Sequence, residues 1–341
     1  MDPFTPRVGQ QSEPAAKIQL FRTLFRGRDD VYPRRFESRK TGKSGYAPVC
    51  ANEWVRGVCE KPRVKCAECN NRRFLPATDD VIRWHLSGHD DAGQPFVAGV
   101  YPMLQDESCF FLAIDFDKQD WQQDVAAFLE TSRELELPAA LERSRSGRGG
   151  HVWFFFEEAT PAALARKLGS FLLTETMERR PDIGLDSYDR LFPNQDTLPQ
   201  GGFGNLIALP LQKQARARGN SVFVDDRFEP HADQWTFLSS VRKLTKSQVE
   251  SAVANADRRS GVIGVRLPTL DEDEPEPPAF ARPSAVRASA RPRRSVPLES
   301  TARGGGWALS PSRRPKASPI VGDLPSTLEV VPITLACRAV V

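Results

Sequence analysis

The chain has 341 residues, of which 40% are hydrophobic and 27% are charged, and its formal net charge is +3 at pH 7. That balance is ordinary for a globular protein, and so small a charge does not by itself indicate a nucleic-acid partner. The longest apolar runs, at 110–114 and 152–156, have only the length of strands, which excludes a membrane span; with no signal peptide visible, we expect a cytoplasmic protein.

The first quarter of the chain combines a leader, a helix and a basic segment. We expect residues 1–15 to form a flexible leader. A helix is predicted from about residue 16, because apolar side chains then recur at spacings of three and four: Ile18, Phe21, Leu24 and Phe25. Arginine and lysine crowd residues 22–73, between the aromatic residues Tyr32, Phe36, Tyr46 and Trp54. This pattern suits a surface that neutralises phosphates and stacks on bases, or simply a solvated basic surface.

The middle of the chain alternates strand and helix patterns. Strands are predicted at 97–104, 109–117, 150–157, 185–190, 204–210 and 220–225. Helices are predicted at 118–135, 160–179 and 245–258. The second of these helices opens with Thr160 as its N-cap and Pro161 at its first position. Strands that alternate with long helices predict a mixed α/β sheet.

The last segment has a different composition. Proline, arginine, serine and alanine fill residues 268–326, and such a stretch cannot bury enough apolar surface to become ordered. We therefore expect residues 256–341 to be a linker followed by the truncated start of a neighbouring domain.

A pair of aspartates ends the predicted strand 109–117. Asp115 and Asp117 lie two residues apart, so their side chains point to the same face of the strand, about 7 Å apart by the rise of a strand. Two carboxylates so close repel each other unless cations lie between them, and two-metal phosphoryl-transfer sites use such pairs with Mg²⁺ or Mn²⁺. The same pattern also occurs in nucleotide-sugar transferases and at strand ends that merely enter a turn.

A glycine-rich loop precedes the predicted strand 150–157. The segment 143–156 reads RSRSGRGGHVWFFF, so glycines, hydroxyls and arginines come directly before His151. Exposed backbone amides in such a loop can bind an anion, and we predict that Ser146, Arg148 and His151 contact a triphosphate. The alternative is a glycine-rich hairpin with a structural histidine.

A third carboxylate is expected from a neighbouring strand. The segment 185–196 offers Asp186, Asp189 and Asp196, and we prefer Asp189, with Asp186 as the reserve. Further along, Lys213 follows the predicted strand 204–210, where it could hold nucleotide or template phosphates, or belong to a plain basic hairpin.

Four cysteines stand close together in the basic segment. Cys50, Cys59, Cys66 and Cys69 have the spacing C-x8-C-x6-C-x2-C, within residues 46–75, which contain few core residues. In a cytosolic chain such a cluster favours a structural Zn²⁺ site over disulfides, with free thiols as the alternative.

Residues 41–45, TGKSG, resemble the end of a P-loop but do not complete one. Glu37 occupies the position of the required first glycine, and no strand is predicted before the segment. We therefore interpret it as a basic loop.

The order of these motifs over residues 16–255 resembles the archaeo-eukaryotic primase superfamily, and in particular the primase-polymerase domains of the TOTE conflict systems. The likeness is carried by Asp115-x-Asp117, the loop ending at His151, Asp189 ahead of 192-FPNQ-195, and 204-GNLIALPL-211. The segments 45–59, 84–90 and 99–104 contribute to it as well.

The resemblance implies an α/β (α+β) fold with an RRM-like primase-polymerase core and a companion α/β unit. The cysteine spacing and the composition described above add a small four-cysteine zinc-knuckle insertion and a disordered tail. It implies that Asp115, Asp117 and Asp189 bind the catalytic Mg²⁺ or Mn²⁺ ions, and that Ser146 and His151 contact the incoming nucleotide. The implied reaction joins nucleoside triphosphates on a single-stranded DNA or RNA template, in a mobile-element conflict or repair setting. A helicase in the same chain or a separate one is the implied partner. Four residues separate Ser146 from His151, whereas the family often has Ser-x-His.

Two other functions would use the same residues. A metal-dependent nuclease could employ the carboxylates, although it would not need the glycine loop, His151 and Lys213 around a triphosphate. A non-catalytic nucleic-acid-binding module with a zinc knuckle would not depend on Asp115 or Asp117 for any activity.

Overall fold

The computed structural model describes residues 7–38, 41–182 and 184–258. The predicted disordered tail lies almost wholly outside these residues, as do the first six residues of the predicted leader. By their contacts, all the described residues belong to one unit of the chain.

The centre of the fold is a five-stranded antiparallel sheet. Its strands are β4 (Ser108–Asp117), β5 (Ala140–Arg143), β6 (Gly149–Pro161), β7 (Tyr188–Phe192) and β9 (Val222–Phe223), in the order β7-β4-β6-β5-β9. Helix α3 (Trp121–Glu134) joins β4 to β5, and helix α4 (Ala162–Arg179) joins β6 to β7. The sequence of elements is therefore β-α-β-β-α-β, the split arrangement of RRM-like sheets. This confirms the predicted mixed α/β fold with an RRM-like core.

The two central strands form because their residues are apolar on both faces. β4 and β6 carry an almost unbroken apolar run, and nearly all of its side chains are buried. On one face Phe116 and Phe154 pack against Phe128 of α3. On the other face Trp153 and Phe155 pack against Phe25, which follows the N-terminal helix. Helices thus cover both faces, and this places a long apolar strand pair at the centre of the core.

A second, smaller set of strands lies beside the central sheet. Its strands are β1 (Pro33–Glu37), β2 (Ser44–Pro48), β3 (Gly99–Val100) and β8 (Ile207–Ala208). β1 pairs with β2, β3 pairs with β8, and an isolated bridge from Arg34 to Ala98 links the two pairs. The remaining helices are α1 (Pro14–Leu24), α2 (Asp79–Ser87), α5 (Lys213–Arg216), α6 (Gln234–Ser240) and α7 (Lys246–Arg258). The four short strands correspond to the companion unit, whereas α7 packs against α4 and against β6 of the central sheet.

A buried histidine of α2 forms hydrogen bonds with the segments that contain β3 and β8. His85 of α2 is fully buried; the Ala98 amide donates to its Nδ1 at 3.0 Å, and its Nε2 lies 2.9 Å from the Pro210 carbonyl oxygen. Because Nδ1 accepts a hydrogen bond, we assign the ring proton to Nε2. Burial lowers the pKa of His85 to about 4, so the ring is neutral at physiological pH.

Several predicted elements have different bounds in the structure. The strands predicted at 97–104, 204–210 and 220–225 shrink to two residues each, and the strand predicted at 185–190 begins at Tyr188. The predicted N-cap at Thr160 is wrong, because β6 continues to Pro161 and the helix has no side-chain cap. Contrary to the sequence prediction, a strand does precede TGKSG: β1 ends at Glu37, with three residues between it and Thr41. Glu37 still replaces the P-loop glycine.

Part of the predicted leader is held by the fold. The amide of Val8 donates to the Ser239 hydroxyl at 2.8 Å, and the amide of Gln10 donates to the Asp233 carboxylate at 2.8 Å. Asp233 is the N-cap of α6, so these bonds join the start of the described chain to that helix. Helix α1 then begins at Pro14, two residues before the predicted start. Among the described helices, none has the length and apolar character that crossing a bilayer requires.

Candidate active site

The two paired aspartates lie at the end of β4, as their spacing predicts. Across the sheet Asp115 pairs with His151 of β6 on one side and with Arg190 of β7 on the other, while Asp117 pairs with Gly149. Phe116, between the aspartates, is fully buried toward α3. The Asp115 side chain is 20% exposed, whereas Asp117, at the last position of the strand, is exposed to solvent.

Asp189 lies at an irregularity of β7 beside Asp115. The register passes from Asp115–Arg190 to Phe116–Tyr188, which leaves Asp189 as the extra residue between them. Burial raises the pKa of Asp115; the charge of His151 opposes that shift, and the carboxylates of Asp189 and Asp117 add to it. Asp189 and Asp117 are therefore close enough to Asp115 to act on it electrostatically. The Asp189 Oδ2 atom accepts a hydrogen bond from Arg190 Nε at 2.8 Å.

The two other candidates for the third carboxylate occupy different positions. Asp196 pairs with Arg166 of α4, at the side of the sheet. Asp186 lies in the loop before β7, where its carbonyl oxygen accepts a hydrogen bond from Lys118 Nζ at 3.2 Å.

A buried side chain of α3 anchors the loop that carries these residues. The Asp124 Oδ2 atom accepts hydrogen bonds from the Ser187 amide at 3.0 Å and from the Ser187 hydroxyl at 2.5 Å. The Ser187 carbonyl in turn accepts from the Asp117 amide at 2.7 Å. Asp124 thus links the backbone of Asp117 to the start of β7, two residues before Asp189.

His151 stands between two carboxylates. Its Nε2 atom lies 3.5 Å from Asp115 Oδ1, and its Nδ1 atom lies 2.9 Å from Oε2 of Glu142 on β5. Burial by itself would lower the pKa of His151, but the charges of Glu142 and Asp115 outweigh this effect and raise the pKa to about 9. The imidazole is therefore a cation at neutral pH within an acidic site.

The glycine-rich loop lies directly beyond Asp117. The Ser144 amide donates to the Gly149 carbonyl at 2.9 Å, the Gly147 amide donates to the Ser144 carbonyl at 3.0 Å, and the Arg148 amide donates to the Ser146 hydroxyl at 3.1 Å. Gly147 has φ +76°, which suits glycine. The Ser146 and Arg148 side chains are exposed at the surface of this turn.

Gly149 and Gly150, at the end of the loop, leave no room for side chains because they lie close against β4 and α3. A Cβ atom on Gly150 would lie 2.5 Å from the Trp121 ring, and one on Gly149 would lie 2.4 Å from the Phe116 carbonyl oxygen. Next to this contact an open cleft of about 520 Å³ is lined by Asp117, Lys118, Trp121 and Arg148, together with the start of α3. The cleft therefore carries two acidic side chains, Asp117 and Asp120, beside two basic ones.

Two basic residues considered from the sequence, Arg143 and Lys213, do not line this cleft. Arg143 donates to the carbonyl oxygens of Gly219 and Phe228, so it holds β5 to the turn after α5. Lys213 is exposed on α5, a helix that packs against α2. By contrast, Arg145 faces the companion unit: burial raises the pKa of Tyr46 on β2, and the charge of Arg145 opposes that shift.

The four cysteines lie in a segment made of turns, closed by a short ladder. The Ala51 amide donates to the Arg73 carbonyl at 2.8 Å, and Cys50 bridges to Phe74. Cys66 opens a single helical turn, Cys66–Glu68, whose cap is Cys69. All four side chains are partly buried, and within the described part of the chain none of them forms a disulfide. Outside the ladder the segment contains few apolar contacts, and thiolates are ligands that zinc prefers.

Within residues 7–38, 41–182 and 184–258, no group of three or more histidine, cysteine or acidic side chains is arranged closely enough to hold a metal ion. The chemistry of the donors nevertheless fits both predicted metals. The carboxylates of Asp115, Asp117 and Asp189 offer hard oxygen ligands for Mg²⁺ or Mn²⁺, and four thiols in one segment offer soft ligands for Zn²⁺.

The residues around the site that sequence reasoning missed are Glu142, Arg190 and Asp124. Each belongs to an element whose position was not predicted or was shifted. A signal for Glu142 did exist, because it is a charged residue within the otherwise apolar run 137–142. Without the pairing of β5 with β6, however, nothing in the sequence places it opposite His151.

Comparison with known proteins adds a family assignment. In a search of the solved structures, the polymerase domain from Mycobacterium tuberculosis ligase D in complex with DNA is similar at 11% identity and a TM-score of 0.33, over 71% of this chain and 88% of that chain. Among curated proteins, none matches the chain significantly. Residues 16–252 match the family described as the TOTE conflict system, archaeo-eukaryotic primase domain. Since this match spans more than half of the sequence, the chain belongs to that family of primase domains.

Proposed function

We propose that the chain is a template-dependent nucleotidyltransferase, a primase or polymerase that joins nucleoside triphosphates on a single-stranded nucleic acid. Membership of the primase domain family supports this reaction class. The observation that carries the proposal is the meeting of Asp115 and Asp117 with His151 and the glycine loop at one end of the central sheet.

The three carboxylates would bind the divalent cations that neutralise the negative charge of the phosphates. Asp115, Asp117 and Asp189 would hold divalent cations such as Mg²⁺ or Mn²⁺, which when bound neutralise the phosphates and activate the attacking hydroxyl. The protein's own part is to keep the acidic side chains in place. Asp115 is fixed by its sheet position, and the Asp124–Ser187 bonds hold the backbone next to both Asp117 and β7.

The cleft beside Asp117 suits the triphosphate. Arg148 and Lys118 line it, and the turn of the glycine loop lies at its edge. A polyanion in this cleft would pair with two cations and reach toward Asp117. His151, charged at neutral pH, would donate from Nε2 to a phosphate oxygen at the inner side of the site. These groups bind and orient the nucleotide, which is the main protein contribution to phosphoryl transfer.

The template would use the basic segment of the companion unit. Of its four aromatic residues, Tyr32 is buried and Tyr46 is partly buried, whereas Phe36 and Trp54 are exposed. Trp54 is 69% exposed and has φ +60°, a conformation that is uncommon for a bulky residue. Lys61 Nζ lies 5.8 Å from its ring. An exposed aromatic ring among cations is the arrangement that stacks on an unpaired base. We propose that Zn²⁺, held by Cys50, Cys59, Cys66 and Cys69, shapes this segment.

The direct test incubates the protein with unprimed single-stranded DNA, labelled nucleotides and Mg²⁺ or Mn²⁺, beside the Asp115→Asn/Asp117→Asn double variant. We expect template-dependent product from the wild-type chain alone. Shortening of the DNA by the wild type would indicate a nuclease, and DNA binding without product in either protein would indicate a non-catalytic binding module. Either result would refute the proposal.

A further inference from the structure

Glu142 is a buried carboxylate that the proposed reaction does not use directly. It lies on β5, its side chain is 2% exposed, and its partner across the sheet is His151. Burying a carboxylate is unfavourable unless hydrogen bonds compensate. A glutamate that is buried together with Ala140 and Leu141 of β5 therefore calls for identified partners.

The partners of Glu142 are all donors. Oε2 accepts from Trp153 Nε1 at 3.0 Å and lies 2.9 Å from His151 Nδ1. The Ser221 hydroxyl lies 3.4 Å from Oε1. Because a carboxylate can only accept hydrogen bonds, the Nδ1 atom of His151 carries the proton of the bond to Oε2. Two neighbouring side chains are thus held by one carboxylate oxygen.

This bond determines which way the imidazole faces. With Nδ1 held by Glu142, the opposite ring atom, Nε2, points toward Asp115 at 3.5 Å. If Glu142 were absent, the ring could rotate about its side-chain bonds. A rotated ring would no longer present Nε2 to the reactive end of the sheet.

We infer that Glu142 is a positioning residue, which holds the ring of His151 so that Nε2 faces the aspartates and the triphosphate of a bound nucleotide. The catalytic part of this inference rests on the proposed function; the orientation of the ring does not. Carboxylates that orient histidines at metal sites have effects of about 10- to 100-fold when removed, and we expect a loss of similar size here.

The orientation is tested by nuclear magnetic resonance without any substrate. The chain has four histidines, so the ring nitrogens can be resolved with ¹⁵N-labelled histidine, and the signals of His151 are identified by their loss in His151→Ala. We expect a hydrogen-bonded Nδ1 proton in the wild type that is lost in Glu142→Ala. Ser221→Ala, which removes only the weaker contact with Oε1, should keep it. A Nδ1 proton signal unchanged in Glu142→Ala would overturn the inference.

The catalytic part is tested by a double-mutant cycle. Glu142→Ala should lower kcat/KM for the nucleotide about 10- to 100-fold in the wild-type background, and have almost no effect in the His151→Ala background. Equal losses in both backgrounds would show a merely structural role and refute the inference. Should Glu142→Ala fail to fold, Glu142→Leu serves in the same cycle, because its side chain is of similar size but accepts no hydrogen bond from His151.

The two experiments separate the possible failures. A wild-type chain that makes no product but shows the Nδ1 proton contradicts the proposed function and leaves the link between Glu142 and His151 intact. An active wild type in which Glu142→Ala changes neither the spectrum nor kcat/KM refutes the role of Glu142 alone.

Discussion

Acidification should weaken the fold through one buried ring, that of His85. The Ala98 amide donates to Nδ1, so a proton on that atom would set two donors against each other in a fully buried place. The pKa is about 4 in the folded chain and 6.5 in the ordinary state, and the nearby charge of Arg216 also disfavours the cation. The unfolded chain thus binds the proton more tightly, so the contribution to stability is complete above pH 6.5 and falls as the pH drops toward 4. At pH 5 the loss amounts to about 2 kcal/mol.

Urea unfolding at pH 7.5 and pH 5.0 measures this loss, with His85→Gln as the reference. Other groups titrate equally in both proteins, so the difference between their pH dependences isolates His85. We expect the free energy of unfolding of the wild type to fall by about 2 kcal/mol more than that of the variant. Equal slopes for the two proteins would show that His85 is not held as a neutral ring between Ala98 and Pro210.

Three further predictions concern the surroundings of the proposed site. Asp124→Ala should lower the free energy of unfolding by about 2–4 kcal/mol, because two buried donors of Ser187 lose their acceptor, whereas Ser187→Ala should lower it by only about 1 kcal/mol. Urea unfolding of the two variants measures the difference, and equal losses would contradict this account. Trp54→Ala should weaken binding of single-stranded DNA about 5- to 100-fold by fluorescence anisotropy, and an unchanged affinity would exclude stacking on this ring. The purified chain should contain zinc by mass spectrometry of its metals, and Cys66→Ser/Cys69→Ser should lose both the zinc and several degrees of melting temperature; equal zinc content would refute the assignment.

The strong periodic signals in the sequence predicted the centre of the fold. β4 and β6 are long and apolar, and α3, α4 and α7 carry clear helical patterns, so their positions follow from local residues. The alternation of side chains along β4 likewise places Asp115 and Asp117 on one face. These inferences need only the geometry of a single strand.

What the sequence could not supply is the pairing between short strands. β5 has four residues, and β3, β8 and β9 have two each, so their position depends on hydrogen bonds to distant strands rather than on their own pattern. Because β5 was not predicted, Glu142 could not be placed opposite His151. The irregular register that inserts Asp189 beside Asp115 is also a property of the pairing, although the position of Asp189 between Tyr188 and the turn at 191–195 favours it over the other two aspartates.

The central claim is that Asp189 completes one acidic site with Asp115 and Asp117, and single-nucleotide incorporation on a primed template tests it most directly. Asp189→Asn is compared with Asp186→Asn and Asp196→Asn, which alter neighbouring aspartates that lie in the preceding loop and beside Arg166. We predict that Asp189→Asn loses at least about 100-fold in rate, in keeping with the loss of a group that stabilises developing charge, while the other two variants stay near the wild type. Full activity in Asp189→Asn, or a greater loss in Asp186→Asn, would contradict this account of the site.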